Sequence, residues 1–268
     1  MHRSLTPLVE PFERIGLDEV GASAALDDRM DVKYIVSHDE LAELARRLLP
    51  THRVLEIDGL RSFVYRSTYF DTADLVTYRE HVQGRRRRFK CRSREYVDSG
   101  MRAFEVKLKQ GFGRTVKHRT ELGEGPLDHL DAPQLDFLRM HLRAAYEREL
   151  GAALAPTLSM SFTRITLVDP DRCERLTCDL RLGFTAPDGS GGALAPDAAI
   201  VESKSRSGSA TADRELPALG VRPIAGCSKY CIGVGLTYPR VKRNSFLPLL
   251  RRYFHAGGTA RAHIVATG

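Results

Sequence analysis

The 268-residue sequence predicts an α+β fold in which antiparallel β-strands close into a barrel and helices pack on the outside. Two observations lead to this prediction. Several short segments alternate charged and apolar residues with the two-residue period of a β-strand, so that the charged residues of each segment share one face. Three or four other segments have apolar residues at helical spacing, and such helices could cover the apolar faces of the strands.

The sequence suggests three regions. Residues 1–25 lack sustained periodicity and are interpreted as an N-terminal arm or packed extension, residues 26–240 as the main domain, and residues 241–268 as a basic tail. The first predicted strand, residues 29–36, leads into a helix that begins at Ser37. Ser37 and Glu40 form a capping box, in which each side chain accepts a hydrogen bond from an otherwise unpaired backbone N–H group.

The other elements are predicted from strand and helix periodicity and from turn residues. Strands are expected at residues 62–70, 86–96, 102–109, 114–121, 157–168, 174–182 and 198–204. Helices are expected from Asp71 to about residue 80 and at residues 132–150, 211–219 and 228–236. A Gly-rich segment, residues 183–196, is interpreted as a mobile loop between two strands.

Composition favours an ordinary folded chain. Hydrophobic residues make up 42% of the sequence, and the apolar runs are too short for a transmembrane helix. The N-terminus lacks the apolar region of a signal peptide. The five cysteines are odd in number and include no Cys-x-x-Cys pair. Reduced thiols in a cytoplasmic protein therefore fit better than disulfides or a zinc site.

The positive charge is concentrated in one part of the chain. The net charge is +7, and the segment from Arg85 to Arg119 alone holds 13 basic and three acidic residues. The remainder of the chain is therefore slightly negative. Such a focused charge indicates an anionic partner.

The alternation puts basic residues in rows. In the segment from Arg86 to Arg94, five basic residues share one face, about 6–7 Å apart along the strand. Like charges gathered on one face repel one another, by about 1 kcal/mol or more per close pair even in a watery medium. Each face taken alone could simply meet water, but the set together favours a basic tunnel that holds a phosphate chain. Arginine, which forks onto phosphate oxygens, dominates this strand.

Four carboxylates occur in the same alternating pattern. They are Asp31, Glu105, Asp179 and Glu202. Carboxylate oxygens are the ligands that Mg²⁺ and Mn²⁺ prefer, and these metals bridge to phosphates. The other interpretation of each carboxylate is an ion pair with a neighbouring arginine or lysine.

An ordered set of motifs runs through residues 26–236. It comprises Arg29-Met-Asp31-Val-Lys33-Tyr34, Tyr69-Phe70-Asp71-Thr72, Lys90-Cys-Arg92, Phe104-Glu105-Val-Lys107, Lys117-His-Arg119, Arg164, Arg175-Leu-Thr-Cys-Asp179, Val201-Glu202-Ser-Lys204 and Ser228-Lys229-Tyr230. This set resembles the VTC (vacuolar transporter chaperone) domain, the polyphosphate polymerase branch of the CYTH or triphosphate tunnel metalloenzyme superfamily.

The resemblance implies a tunnel of about eight antiparallel strands and transfer of the γ-phosphate of ATP to a growing polyphosphate chain, with Mn²⁺ or Mg²⁺ as cofactor. With the strand pattern, it predicts three groups of site residues. The catalytic group is Lys33, Arg92, Arg164, Arg175 and Lys229. The phosphate-binding group is Arg29, Arg88, Lys90, Lys107, Lys109, Lys117, Arg119 and Lys204. The metal-binding group is Glu202, which matches the metal-binding glutamate of VTC domains, with Asp179 and Glu105.

Two departures and several alternatives remain. The superfamily's opening Glu-x-Glu-x-Lys is Arg29-x-Asp31-x-Lys33 here, which is usual for the VTC branch, and its Arg-x-Arg is Lys90-x-Arg92. A tripolyphosphatase or nucleoside triphosphatase in the same tunnel, or a polyphosphate-binding protein without activity, would use the same residues. Nucleic acid is disfavoured because few aromatic residues accompany the basic strands. The basic tail could contact an acidic membrane surface or a membrane-protein partner.

Overall fold

The computed structural model describes residues 5–24, 30–110, 115–206, 208–224 and 228–258. Several sequence predictions therefore fall on residues outside the described ranges. They concern Arg29, the turn at residues 111–113, Arg114 and Cys227.

The fold combines helices with a large β-sheet. The strands are β1 (Arg14–Ile15), β2 (Met30–Ser37), β3 (Arg53–Leu55), β4 (Phe63–Asp71), β5 (Arg88–Tyr96), β6 (Met101–Lys109), β7 (Thr115–Glu121), β8 (Ala155–Asp169), β9 (Glu174–Thr185), β10 (Ser190–Leu194), β11 (Ala198–Ser205) and β12 (Phe254–Gly258). The helices are α1 (Thr6–Val9), α2 (Leu17–Ala24), α3 (His38–Leu48), α4 (Val76–Val82), α5 (Ala132–Tyr146), α6 (Thr211–Ala218), α7 (Lys229–Thr237) and α8 (Leu247–Tyr253), with a 3-10 helix at Asn244–Phe246.

The strands hydrogen-bond in the order β12-β10-β9-β8-β4-β5-β6-β7. In addition β11 pairs with β2 and β9, and β3 pairs with β1 and β8. The short β1–β3 pair is parallel, whereas β2–β11–β9 and β5–β6–β7 are antiparallel. An α+β fold with a large antiparallel sheet is thus confirmed. The order is an open path in the described part of the chain, so closure into a barrel is not confirmed.

Contacts divide the chain into two compact units. Unit 1 comprises Met1–Tyr65, Phe162–Leu182 and Leu194–Cys227, and unit 2 comprises Arg66–Ser161, Gly183–Ala193 and Ser228–Gly268. The long strands β4, β8 and β9 contribute residues to both units.

The core of unit 1 lies between its strands and helices α3 and α6. Alternate residues of β2, β9 and β11, such as Tyr34 and Val201, pack there against apolar residues of α3. Helix α3 begins at the predicted capping box, in which Ser37 Oγ accepts from Glu40 N and Glu40 Oε2 accepts from Ser37 N. Val9 of the N-terminal segment is buried in the same core, which makes that segment a packed extension.

The core of unit 2 lies between helix α5 and one face of β5 and β6. Its buried residues are Phe70, Phe89, Cys91, Phe104, Val106, Leu108, Leu138, Leu142 and Tyr146. Because strand side chains alternate, the opposite face of β5 and β6 carries the charged residues. The predicted hairpin of two strands, with a third strand beside it, is confirmed.

The prediction of a mobile loop at residues 183–196 is wrong. Strand β9 continues to Thr185, and residues 190–194 form strand β10. A Cβ atom on Gly192 would lie 3.0 Å from the backbone oxygen of His255, which belongs to β12. Glycine is therefore required here for a close approach of two backbones, and the Gly-rich composition does not mark a flexible segment.

Candidate functional site

In unit 1, three neighbouring strands present charged residues on one face. The register of β2, β11 and β9 places Lys33 opposite Glu202, and Lys204 opposite both Asp31 and Arg175. The other face of the same strands packs in the core, so the charged residues must lie on the opposite side. We call this set the unit 1 cluster. It consists of Asp31, Lys33, Arg164, Arg175, Thr177, Asp179, Glu202 and Lys204.

The strongest contact in the unit 1 cluster joins Arg164 to Asp179. Arg164 Nε donates to Asp179 Oδ1 over 2.6 Å, and Nη2 donates to Oδ2 over 2.8 Å. The guanidinium carbon lies 5.2 Å from the ring centroids of Tyr65 and Phe162, which stack on each other. This bidentate ion pair holds the arginine by one edge.

Glu202 lies between two lysines of the unit 1 cluster. Its Oε1 is 3.5 Å from Lys33 Nζ and its Oε2 is 3.2 Å from Lys204 Nζ. Lys204 Nζ also donates to Thr177 Oγ1 over 3.2 Å. Burial lowers the pKa of Lys204 to about 8, and the Glu202 carboxylate opposes this shift. A bound anion near this lysine would therefore favour its charged form.

In unit 2, strands β5, β6 and β7 align basic residues in rows. Lys90, Lys107 and Lys117 stand abreast across the three strands, and in the next row Glu105 stands between Arg92 and Arg119. We call this face the unit 2 cluster. It consists of Arg88, Lys90, Arg92, Arg94, Glu105, Lys107, Lys109, Lys117, Arg119 and Glu121. Eight cations thus share a face with two carboxylates.

Glu105 is the centre of the unit 2 cluster. Its Oε2 accepts from Arg92 Nε over 2.7 Å and lies 2.6 Å from Arg92 Nη2, and its Oε1 is 3.3 Å from Lys117 Nζ. Arg92 Nη1 donates to the Tyr69 hydroxyl over 2.7 Å. Burial alone would raise the pKa of Glu105, but the charges of Arg92, Arg94 and Lys117 outweigh it and hold that pKa well below its usual range.

The start of helix α7 carries Lys229. The preceding residue, Ser228, accepts a hydrogen bond of 3.0 Å from Lys90 Nζ, which ties the helix to β5. The next residue, Tyr230, donates to the buried carboxylate of Asp71 over 2.5 Å. Asp71 and Tyr230 therefore fix the helix that presents Lys229.

The predicted residues thus fall into two sets. Unit 1 brings together Lys33, Arg164, Arg175, Asp179, Glu202 and Lys204, and unit 2 brings together Arg88, Lys90, Arg92, Glu105, Lys107, Lys109, Lys117 and Arg119, with Lys229 on α7. One detail of the predicted faces is wrong, since Arg86 precedes β5. Arg181, two residues beyond Asp179 on β9, is exposed with a φ of 54°, because the backbone there leaves the extended conformation.

Sequence reasoning missed several polar partners of these residues. Tyr69, Thr177 and Ser228 each hydrogen-bond a predicted phosphate-binding side chain. The position of Thr177 follows from the sequence, since it lies between Arg175 and Asp179 on the same strand face. Tyr69 and Ser228 lie far from their partners in sequence, and no periodicity connects them.

The carboxylates of the two clusters are candidate ligands for a divalent metal. In the described ranges, no three His, Cys, Asp or Glu side chains come together as a complete metal site. Mg²⁺ commonly takes one or two protein carboxylates and completes its shell with substrate phosphates and water. Glu202 fits this kind of site, since its side chain is 14% exposed and its neighbours are lysines that could move to phosphate.

Two further observations concern the chain as a whole. None of the described helices has the length and apolar character needed to span a membrane. The described cysteines Cys91, Cys173, Cys178 and Cys231 are free thiols, as predicted.

Comparison with known proteins gives the following similarities. Residues 28–238 match the sequence profile of the VTC domain. No curated protein matches the chain. Among solved structures, the chain is similar to a Bacillus halodurans protein proposed to be an adenylate cyclase (14% identity, covering 75% of this chain and 96% of that one, TM-score 0.44). It is also similar to the PH1819 protein of Pyrococcus horikoshii (13%, 75% and 96%, 0.43). A third similar structure is HpAC1 of Hippeastrum, a proposed adenylyl cyclase with dominant triphosphatase activity (12%, 77% and 96%, 0.38). At these TM-scores the similarities do not assign an activity.

Proposed function

Because the chain belongs to the VTC domain family, we propose that it is a metal-dependent polyphosphate polymerase that transfers the γ-phosphate of ATP to a growing polyphosphate chain. The observation that carries this proposal is the row formed by Lys90, Lys107 and Lys117 in unit 2. Like charges directly opposite one another are unfavourable in a sheet, and an anion that contacts all three lysines would offset their repulsion. A phosphate chain, with one charge or more per phosphate, supplies that compensation.

In this proposal residues of both clusters contact phosphate. Phosphoryl transfer depends mainly on positioning and on neutralising charge. Lys33, Lys204 and Arg175 would contact phosphate oxygens in unit 1, and Arg92 and Lys229 would do so in unit 2. The terminal phosphate of the product chain would be the nucleophile, and because it is already ionised it needs no strong general base.

Glu202 is the proposed metal-binding residue. Triphosphate tunnel enzymes typically depend on a divalent metal, and a bound Mn²⁺ or Mg²⁺ would supply positive charge to the triphosphate oxygens. Lys33 and Lys204, which lie beside Glu202, would then be released to pair with phosphate.

Three further expectations from the sequence remain proposals, of which only the first comes from the family resemblance. They are a closed tunnel of about eight strands, a cytoplasmic location, and a membrane-protein partner for the basic C-terminal tail. The location is supported by the free thiols of the described cysteines. The partner is supported by exposed Arg240, Lys242, Arg251 and Arg252 in a segment without acidic residues.

The test is to incubate the purified protein with ATP and Mn²⁺ and to resolve the products on a gel that detects polyphosphate, with ADP and free phosphate measured in parallel. A polymerase yields a ladder of chains and an equivalent amount of ADP. Free phosphate without chains would instead identify a hydrolase. Tight polyphosphate binding without either product would identify a binding protein.

Two variants test the proposed residues in the same assay. Glu202→Gln should abolish metal-dependent turnover, and Arg175→Ala should weaken triphosphate binding about tenfold or more, as loss of a charged hydrogen bond predicts. The matched control is Arg181→Ala, since Arg181 lies on the same strand but is exposed. If both site variants turn over ATP like the control, the proposed site is wrong.

A further inference from the structure

Two arginines in different units are held in the same way. In unit 1, Asp179 engages Arg164 through Nε and Nη2. In unit 2, Glu105 engages Arg92 through the same two nitrogens. Both carboxylates were predicted to bind metal, yet each is occupied by a guanidinium group in this structure.

Burial separates these two carboxylates from Glu202. The side chains of Asp179 and Glu105 are 0% exposed, whereas that of Glu202 is 14% exposed. A metal ion that arrives with its water shell could reach Glu202, but it would have to displace a paired arginine to reach either of the others. Displacement would leave the arginine without its partner, which is strongly unfavourable for the buried Arg92.

The two arginines have further N–H groups that could donate to a ligand. A guanidinium group has five N–H donors. In Arg164 the carboxylate takes one on Nε and one on Nη2, and in Arg92 the Tyr69 hydroxyl takes a further one on Nη1. Arg92 therefore keeps one N–H on Nη1 and one on Nη2, and Arg164 keeps two on Nη1 and one on Nη2. In both arginines the Nη1–Nη2 end can still donate two hydrogen bonds, a pair that matches two oxygens of one phosphate group.

Aromatic rings restrict the orientation of both groups. The Arg164 guanidinium carbon lies over the rings of Tyr65 and Phe162, and that of Arg92 lies 5.4 Å from the centroid of Tyr69. With one edge on a carboxylate and one face on a ring, a guanidinium group has little freedom left to rotate. It is organised before a ligand arrives, so little ordering cost remains for binding.

We propose that Asp179 and Glu105 are positioning residues, which hold Arg164 and Arg92 so that each presents its Nη1–Nη2 end to a phosphate group. They act through the arginines and do not bind the metal. The phosphate ligand rests on the proposed function, whereas the locked state of the arginines does not.

The test uses tripolyphosphate binding in the presence of EDTA, measured by calorimetry. Loss of a negative charge near an anion site should strengthen anion binding if the carboxylate serves only as a metal ligand. If the carboxylate positions an arginine, its loss should weaken anion binding instead. We expect Asp179→Asn and Glu105→Gln each to weaken binding about tenfold, as loss of a charged hydrogen bond predicts. We expect Glu202→Gln to leave it equal or tighter.

Matched controls and a double variant sharpen the result. Asp171→Asn in unit 1 and Glu124→Gln in unit 2 remove exposed carboxylates that belong to neither cluster, and they should not weaken binding. Arg164→Gln combined with Asp179→Asn should bind no more weakly than Arg164→Gln alone, since Asp179 acts only through Arg164. Tighter binding by Asp179→Asn, or additive losses in the double variant, would overturn the proposal.

A second measurement is independent of any ligand. Hydrogen exchange of the arginine Nε–H groups, followed by NMR of the whole chain, should be slow for Arg164 and Arg92 and should become fast for Arg164 in Asp179→Asn. Fast exchange in the wild type would refute the locked state. If the wild type binds no tripolyphosphate, the proposed function fails, and this measurement alone decides the positioning role.

A third variant covers the case in which Asp179→Asn does not fold. Arg164→Lys keeps the positive charge beside Asp179 but cannot fork onto both a carboxylate and a phosphate. It should weaken tripolyphosphate binding at least fivefold, by the loss of one charged hydrogen bond. Unchanged affinity in a folded Arg164→Lys would contradict the proposal.

Discussion

The two charged clusters differ in how completely they neutralise themselves. The unit 1 cluster holds four cations and three carboxylates, and the unit 2 cluster holds eight cations and two carboxylates. In both clusters the charged residues share one face because side chains alternate along a strand. The clusters differ in how many carboxylates accompany the cations on that face. Alternation therefore determines which face is charged, and the residues of the strands determine how far the charge is neutralised within the protein.

Burial accompanies this difference. Asp179 and Lys204 of unit 1 are buried, as are Arg92 and Glu105 of unit 2, and charges so placed require partners. In unit 2, the outer strand β7 leaves Lys117 and Arg119 exposed, where water can support an excess of positive charge. Unit 1 therefore resembles a set of paired charges, and unit 2 a surface with excess positive charge that an external anion could offset.

The largest expected effect on stability comes from removing the buried carboxylate that pairs with an arginine in each cluster. Glu105→Ala should lower the free energy of unfolding by about 3–5 kcal/mol, the usual cost of leaving one buried charge without its partner. Asp179→Ala should cost less, because Glu202 also stabilises the charge of Arg164. Urea unfolding of both variants measures the two losses.

The matched control for Glu105 is Glu121, the exposed carboxylate on the same face. Glu121→Ala should change the free energy of unfolding by about 0.5 kcal/mol or less, as is usual for surface charges. A loss in Asp179→Ala that exceeds the loss in Glu105→Ala would contradict the contrast between the two clusters.

A smaller effect on stability is expected from two histidines with different neighbours, the buried His52 and the partly buried His81. Burial, followed by the charge of Lys90, lowers the pKa of His81 in unit 2 to about 3. Burial also lowers the pKa of His52 in unit 1, but there Asp169 and Glu174 oppose the shift. The two residues thus report the charge around them.

The sign of the His81 effect follows from proton linkage. The unfolded chain binds a proton at the ordinary histidine pKa of about 6.5, above the folded value, so stability falls as pH drops below about 6.5. Between pH 7 and pH 4.5, His81→Gln should lose about 2–3 kcal/mol less stability than the wild type. His52→Gln should show a smaller difference. Urea unfolding at the two pH values measures these changes in stability. If the two substitutions change the loss of stability equally, His81 and His52 do not differ in the way proposed.

Much of the fold could be predicted from periodicity. Alternation along β2, β5, β6, β9 and β11 placed the charged residues on the faces where they occur, and a capping box marked the start of α3. These features are local, since each depends on residues within a few positions of one another.

The pairing of charges could not be predicted in the same way. Which cation meets Glu105 depends on the register between β5 and β6, and that register is a property of two strands together. The alternation therefore could not separate a metal ligand from an ion-paired carboxylate. Strand β10 was missed for a related reason, because its glycines reflect contact with the distant β12.

The smallest expected effect is that of replacing one lysine in each cluster, which should change the free energy of unfolding in opposite directions. Lys107→Gln removes one of three lysines abreast in unit 2, so it should stabilise the ligand-free protein by about 0.5 kcal/mol. Lys33→Gln removes a partner of Glu202 in unit 1 and should destabilise it by about 0.5–1 kcal/mol. Urea unfolding resolves both changes. With added tripolyphosphate the wild type should become more stable than Lys107→Gln, since anion binding stabilises the wild type more than the variant. If Lys107→Gln destabilises the ligand-free protein, the row of lysines is already compensated within the protein, and an external anion has no repulsion to offset.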